Sequence, residues 1–209
     1  MRVKICGITQ IEQGRAIAKL GADSIGFICV SQSPRYVTPV QIEKIVQQLP
    51  SSTVKVGVFA NQDLANIAAI VEQAGLSAVQ LHGAETPEYC QQLRRKIGSE
   101  IETIKAFRIK SPASLQATDA YSNYVDTLLL DAYHPQMLGG TGHTIDWQDL
   151  ARFEPPLPWM LAGGLTPSNV RAALSRLQPD GIDLSSGVER SPGDKDLAQV
   201  ELLFQALKN

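Results

Sequence analysis

Short apolar, strand-like runs alternate with helix-period segments along the whole chain, and that alternation limits most what the chain can fold into. Arg2–Cys6 alternates in polarity and stops at Gly7; Ile11, Ala16, Ile17 and Leu20 then recur at helical spacing up to Gly21, a C-cap residue. Further strands are predicted at Ser24–Val30, Val54–Phe59, Ala78–Leu81, Glu102–Phe107, Thr127–Leu130, Trp159–Ala162 and Gly181–Leu184. Helices are predicted at Ile42–Leu49, Leu64–Ala74, Thr86–Ile97, Ser111–Ala120, Asp146–Phe153, Pro167–Leu177 and Asp196–Leu207. Several carry their own boundary signals: Thr86-Pro87 is a good N-cap and N1 pair, Asp63 and Thr166 are further caps, and Gly75 ends the third helix. The segments Gly21–Ile25, Gly75–Val79 and Pro179–Ile182 each lead from a helix end into a strand, a faint internal repeat. Strict alternation implies a parallel sheet, because every helix is a crossover. Eight units of about 26 residues use up all 209 residues, so one closed (β/α)8 barrel of the TIM type is expected over 1–209. A doubly wound open sheet is the rival arrangement.

Composition excludes several functional classes. With 44% hydrophobic and 19% charged residues a sizeable core forms, and the formal charge of −2 gives no electrostatic reason for a nucleic-acid or membrane partner. The apolar runs are far shorter than the ~18 residues of a membrane span, and the opening strand lacks the apolar region of a signal peptide. Cys6, Cys29 and Cys90 are widely spaced and form neither a disulfide framework nor a metal pair, so a cytoplasmic setting is expected. His134 and His143 lack ligand spacing, and no metal site is expected.

In such a barrel the chemistry belongs at the C-terminal ends of the strands. Gly163-Gly164 follows the seventh strand, and Asp183-Leu184-Ser185-Ser186-Gly187 forms and follows the eighth. Paired in this way, the two turns predict a phosphate site built from close-approaching backbone and hydroxyl donors. Leu138–Thr144, with Gly139, Gly140 and Gly142, lies in a long loop after the sixth strand and reads as a lid over a ligand or as a plain flexible loop. Asp131 ends an apolar strand, where partial desolvation suits a general acid; it equally suits a turn cap. Cys6 reads as a small buried hydrophobe, as a nucleophile or, when ionised, as a base, with neighbouring helix N-termini favouring the thiolate. His82 orients a substrate or satisfies its turn, and Arg35 has a fork suited to a carboxylate or to solvent. Cys29 and Cys90 read as packing residues.

Taken together, Lys4–Thr9 (KICGIT), Ser33–Tyr36, Val79–Gly83, Leu129–Asp131, Gly139–Gly142 with Asp146-Trp147, Leu161–Leu165 and Gly181–Glu189 resemble the phosphoribosylanthranilate isomerases of tryptophan biosynthesis. The resemblance spans the whole chain with its motifs in order. It implies a barrel without cofactor or metal, a small-molecule phosphoribosyl-anthranilate substrate, and work as a monomer or a homodimer. It further implies an Amadori rearrangement with Asp131 as general acid and Cys6 as general base. Arg35 matches the residue that holds the anthranilate carboxylate, and Gly164, Ser185, Ser186 and Gly187 match the phosphate loops; Asp183 is a supporting position. An acid that stays protonated and a base that stays ionised near neutral pH need pKa values pushed apart, and a free thiol near ~8.5 supplies little thiolate.

Sister barrels differ in the base. The related isomerase of histidine biosynthesis and the bifunctional versions resemble one another in using Asp at the end of strand 1, so Cys6 favours the tryptophan-specific enzyme. Indole-glycerol-phosphate synthase would need a strand-end Lys paired with Glu, and Lys55 and Lys105 are not expected to be placed with one. Two alternatives stand beside the isomerase: another phosphosugar isomerase or epimerase on the same barrel, and a non-catalytic sensor of a phosphate ligand.

Overall fold

Eight parallel strands pair in chain order and close on themselves in the computed structural model, which describes residues 1–109, 112–132, 150 and 152–208. They are β1 (Arg2–Cys6), β2 (Ser24–Ile28), β3 (Val54–Phe59), β4 (Ala78–Leu81), β5 (Glu102–Ile109), β6 (Thr127–Ala132), β7 (Trp159–Ala162) and β8 (Gly181–Leu184). Closure runs through β1 and β8, where Lys4 lies opposite Asp183 and Ile5 opposite Leu184. This is the (β/α)8 architecture the alternation predicts, and the open-sheet rival is excluded.

The two-residue period of each strand sorts its side chains. Ile5, Ile25, Phe27, Leu81, Leu130 and Ile182 point outward and pack under helices α1 (Ile11–Leu20), α2 (Pro39–Val46), α3 (Leu64–Ala74) and α4 (Pro87–Ile97) in the larger core cluster. Val56, Ala78, Ile104, Ala106, Leu129, Met160 and Ala162 point inward and form a separate cluster that fills the barrel. Its N-terminal end is closed by polar groups instead. The Arg2 guanidinium donates to Glu102 Oε1 at 2.6 Å and to Ser24 Oγ at 2.7 Å, and Thr127 Oγ1 donates to Glu102 Oε1 at 2.8 Å.

Local signals explain most helix boundaries. Thr86 caps α4 by accepting from Tyr89 N, Asp63 caps α3 by accepting from Ala65 N and Asn66 N, and Gly21 and Gly75 close α1 and α3 in the left-handed conformation. Other expectations need correction. The helix expected over Ser111–Ala120 is a single turn, α5 (Pro112–Gln116), followed by a 3₁₀ turn at Ala117–Tyr121. There the Thr118 hydroxyl donates back to Leu115 O at 2.6 Å, competing with the helical ladder. The helix expected over Pro167–Leu177 is only α6 (Val170–Leu174), because Thr166 and Asn169 cap each other in a preceding turn. Strand β2 ends at Ile28, two residues before the predicted Val30.

The segment Leu138–Thr144 with Gly142, read from the sequence as a lid or a plain loop, lies outside the described residues, as does most of the helix predicted over Asp146–Phe153. One element was not foreseen, a short antiparallel hairpin of β9 (Glu189–Ser191) and β10 (Asp194–Lys195) inserted before the last helix, α7 (Leu197–Lys208). Among the described residues no helix is long and apolar enough to cross a membrane.

Candidate active site

A pocket of about 300 Å³ opens at the C-terminal end of the barrel, and every expected site residue within the described residues lines it. Cys6 enters from β1 and Asp131 from β6; Arg35 comes from the loop after β2 and His82 from the loop after β4. The two turns expected to bind phosphate contribute Gly163 and Gly164 from the seventh unit, and Asp183, Ser185, Ser186 and Gly187 from the eighth. Gly163 and Gly164 have φ of 93° and 64°, a left-handed pair that side chains disfavour, and this pair bends the chain sharply at the pocket edge. After β8 the chain forms one 3₁₀ turn, Ser186–Val188.

Cys6 is buried, and its sulfur packs over Gly26 of β2, where an added Cβ would lie 2.7 Å from it. Burial pushes the thiol pKa up. The Lys4 ammonium pulls it down, Asp183 adds to the rise, Lys195 opposes it, and the net direction is upward. The expected preference for thiolate therefore does not hold at this position, where desolvation outweighs the positive groups. Iodoacetamide labelling of Cys6, followed by peptide mass spectrometry, is accordingly expected to titrate above the ~8.5 of a free thiol. A midpoint at or below that value would contradict this electrostatic picture.

Asp131 keeps about a third of its side-chain surface exposed (34%), with Oδ2 lying 3.7 Å from His82 Nε2, beyond hydrogen-bond length. Gln80 Nε2 lies 2.9 Å from His82 Nδ1. With the amide donating, Nδ1 accepts and the ring proton sits on Nε2, facing Asp131.

Arg35 is not a free guanidinium. Its Nε reaches Glu189 Oε1 at 2.9 Å and its Nη2 reaches Oε2 at 2.5 Å. Glu189 also accepts from Lys195 Nζ at 2.7 Å. Burial alone would raise the Glu189 carboxyl, but hydrogen bonds from Arg35 and Lys195 hold it below the ordinary range. Burial lowers the Lys195 ammonium in spite of Glu189. Lys195 Nζ also donates to Ser185 O at 3.1 Å, and Ser185 Oγ donates to Cys6 O at 3.1 Å, so the hairpin braces the eighth loop against β1.

Several site groups were missed by sequence reasoning: Lys4, Gln80, Glu189 and Lys195. The available signals were polar residues at inward positions of apolar strands, and Pro192-Gly193, a turn dipeptide, for the hairpin. Lys4 donates to Asp183 Oδ2 at 2.8 Å with its side chain fully buried. Gln80 Oε1 and Asp183 Oδ1 are buried acceptors that line the pocket and have no partner among the described residues. The expectation that Lys105 has no acidic partner is also overturned. Its ammonium meets Glu85 Oε2 at 3.0 Å and the carbonyls of Leu81, Gly83 and Ala106, tying the loop after β4 to the barrel. The Lys55 ammonium, by contrast, donates to the carbonyls of Pro50 and Ser51 and to no carboxylate among the described residues. Among the described residues no group of three or more His, Cys, Asp or Glu is arranged to hold a metal ion.

Comparison with known proteins gives a consistent result. The family model described as N-(5'phosphoribosyl)anthranilate (PRA) isomerase matches residues 3–206. The N-(5'-phosphoribosyl)anthranilate isomerase of Gloeothece citriformis is 63% identical over 207 residues, covering 99% of this chain and 94% of its own. A crystal structure of phosphoribosyl anthranilate isomerase from Thermotoga maritima superposes with a TM-score of 0.85 at 37% identity, covering 100% of this chain and 98% of that one. Another solved isomerase, in complex with reduced 1-(o-carboxyphenylamino)-1-deoxyribulose 5-phosphate, does so with a TM-score of 0.83 at 35% identity, covering 100% and 98%. A match of that extent, on a barrel whose mouth gathers the residues its motifs single out, shows that the chain belongs to the N-(5'-phosphoribosyl)anthranilate isomerase family.

Proposed function

We propose that this barrel converts N-(5'-phosphoribosyl)anthranilate to 1-(2-carboxyphenylamino)-1-deoxyribulose 5-phosphate, an isomerisation of tryptophan biosynthesis. The observation that carries the reading is one pocket shared by a buried thiol on β1 and a carboxyl group on β6. Asp131 protonates the furanose ring oxygen, the C1'–O bond breaks, and the anilino nitrogen forms an iminium ion. Cys6, as thiolate, removes the C2' proton, and those electrons form the C1'=C2' bond while the iminium is neutralised. The enolamine then ketonises, taking a proton at C1' and losing one from the 2'-hydroxyl. Only protons move, and the atoms balance without an external reductant or oxidant.

The remaining groups bind. Gly163, Gly164, Ser185, Ser186 and Gly187 form the phosphate end. Asp183 Oδ1 and Gln80 Oε1, buried acceptors without partners, suit the hydroxyl groups of an opened sugar. His82, with its ring proton toward Asp131, orients the substrate beside the acid. Arg35 uses Nε and Nη2 on Glu189, and its remaining N–H donors at Nη1 take the anthranilate carboxylate. Arg35→Ala is therefore expected to raise KM by roughly 10-fold or more, the scale of one charged hydrogen bond, with little change in kcat. Lys195 remains to pair Glu189 in that variant, and an unchanged KM would contradict the carboxylate role.

Residues 1–209 act as one catalytic unit in this reading. The three unpaired thiols fit a cytoplasmic setting. Expression in a tryptophan auxotroph that lacks only this isomerase tests the activity. Growth on minimal medium is expected, whereas a phosphate sensor or an isomerase of another sugar would leave the strain dependent on tryptophan.

A further inference from the structure

One buried charge has no part in the chemistry above. Lys4 lies on β1 with its side chain completely buried, and an ammonium there costs far more than an apolar side chain of similar length. Met160 fills the same barrel interior with such a side chain. Successive inward positions on a strand are two residues apart, so Lys4 sits directly beneath Cys6, about 6.6 Å lower along β1. The register opposes Lys4 to Asp183, and Nζ donates to Asp183 Oδ2 at 2.8 Å, which ties the ammonium to the wall of the pocket that contains the thiol.

We infer that Lys4 is a positioning residue for the reaction: its ammonium, anchored on Asp183 below the thiol, keeps the desolvated Cys6 within reach of ionisation. The inference rests on the assignment of Cys6 as base. The charged groups that face Cys6 are Lys4 on its own strand, Asp183 on β8, Lys195 on the hairpin and Arg35 from the loop after β2; Cys29, just past β2, is the neighbouring thiol. Lys195 and Arg35 share one carboxylate, Glu189. Lys4 has the strongest effect of these on the thiol and acts against burial, while Asp183 acts with burial.

The test is the pH midpoint of Cys6 alkylation by iodoacetamide in the ligand-free protein, measured beside kcat and KM at pH 7. Lys4→Met is expected to move the midpoint up by about one pH unit or more. Thiolate at pH 7 then falls about tenfold per unit, and kcat with it, while KM changes little. Lys4→Arg, which keeps the charge, is expected to restore most of both. If Lys4→Met does not fold, Lys4→Met/Asp183→Asn carries the test, since it leaves no unpaired buried carboxylate. Its midpoint is read against that of Asp183→Asn alone, a comparison that cancels the opposing effect of Asp183, and is expected to lie above it. An unshifted midpoint in a folded variant overturns the role of Lys4 even if activity is lost. A raised midpoint with unchanged kcat overturns Lys4's part in the reaction together with Cys6 as base, which separates the two failures.

Discussion

Asp131→Asn is expected to lower kcat by roughly 10²–10⁴-fold while the barrel stays folded. The substitution keeps the shape of the side chain and removes the one proton the ring oxygen needs. An amide hydrogen-bonds to that oxygen but does not protonate it, so the C1'–O bond keeps its full barrier. The structure gives little reason for a loss of stability. The Asp131 side chain is a third exposed, approaches His82 at 3.7 Å without a hydrogen bond to it, and sits on a strand paired through its backbone to β5 and β7. A change within about 0.5 kcal/mol is expected from thermal melting, as for other exposed positions. KM should change little, because phosphate and carboxylate contacts come from other loops. Retention of kcat within about threefold would remove Asp131 as the acid.

Cys6→Ser is expected to have an effect of the same size, roughly 10²–10⁴-fold in kcat, for a different reason. A hydroxyl is far harder to ionise than a thiol, and at this position burial makes ionisation harder still. The smaller serine side chain fits over Gly26 without a clash, so the loss is chemical rather than structural. Melting curves and KM close to those of the native protein are the accompanying expectations. Near-normal turnover by Cys6→Ser would show that the proton at C2' leaves by another route.

The barrel was readable from local signals because its units are local. Gly21, Gly75 and Thr86-Pro87 cap their helices as the sequence indicates, and each strand shows its own apolar pattern. What remained hidden depends on pairs distant in sequence. Lys4 and Asp183 are 179 positions apart, and Arg35 and Glu189 are 154 apart. Closure of β8 on β1 brings the first pair together, and a hairpin too short to show a period places Glu189 and Lys195. Lys105 shows the same difficulty in reverse. It reads as unpaired on its strand, yet the turn after β4 brings Glu85 to it from 20 residues away. The residues that line the pocket were legible because strand ends mark the mouth of a barrel. Their electrostatics were not, because the Cys6 pKa depends on burial that only the closed barrel produces.

Turnover itself tests the central claim most directly. The unstable substrate is formed in place from anthranilate and phosphoribosyl pyrophosphate, and its fluorescence is followed after this protein is added. A decay proportional to protein concentration, lost in the Asp131→Asn and Cys6→Ser variants, is the predicted result. Fluorescence that persists in the presence of folded native protein would contradict the account.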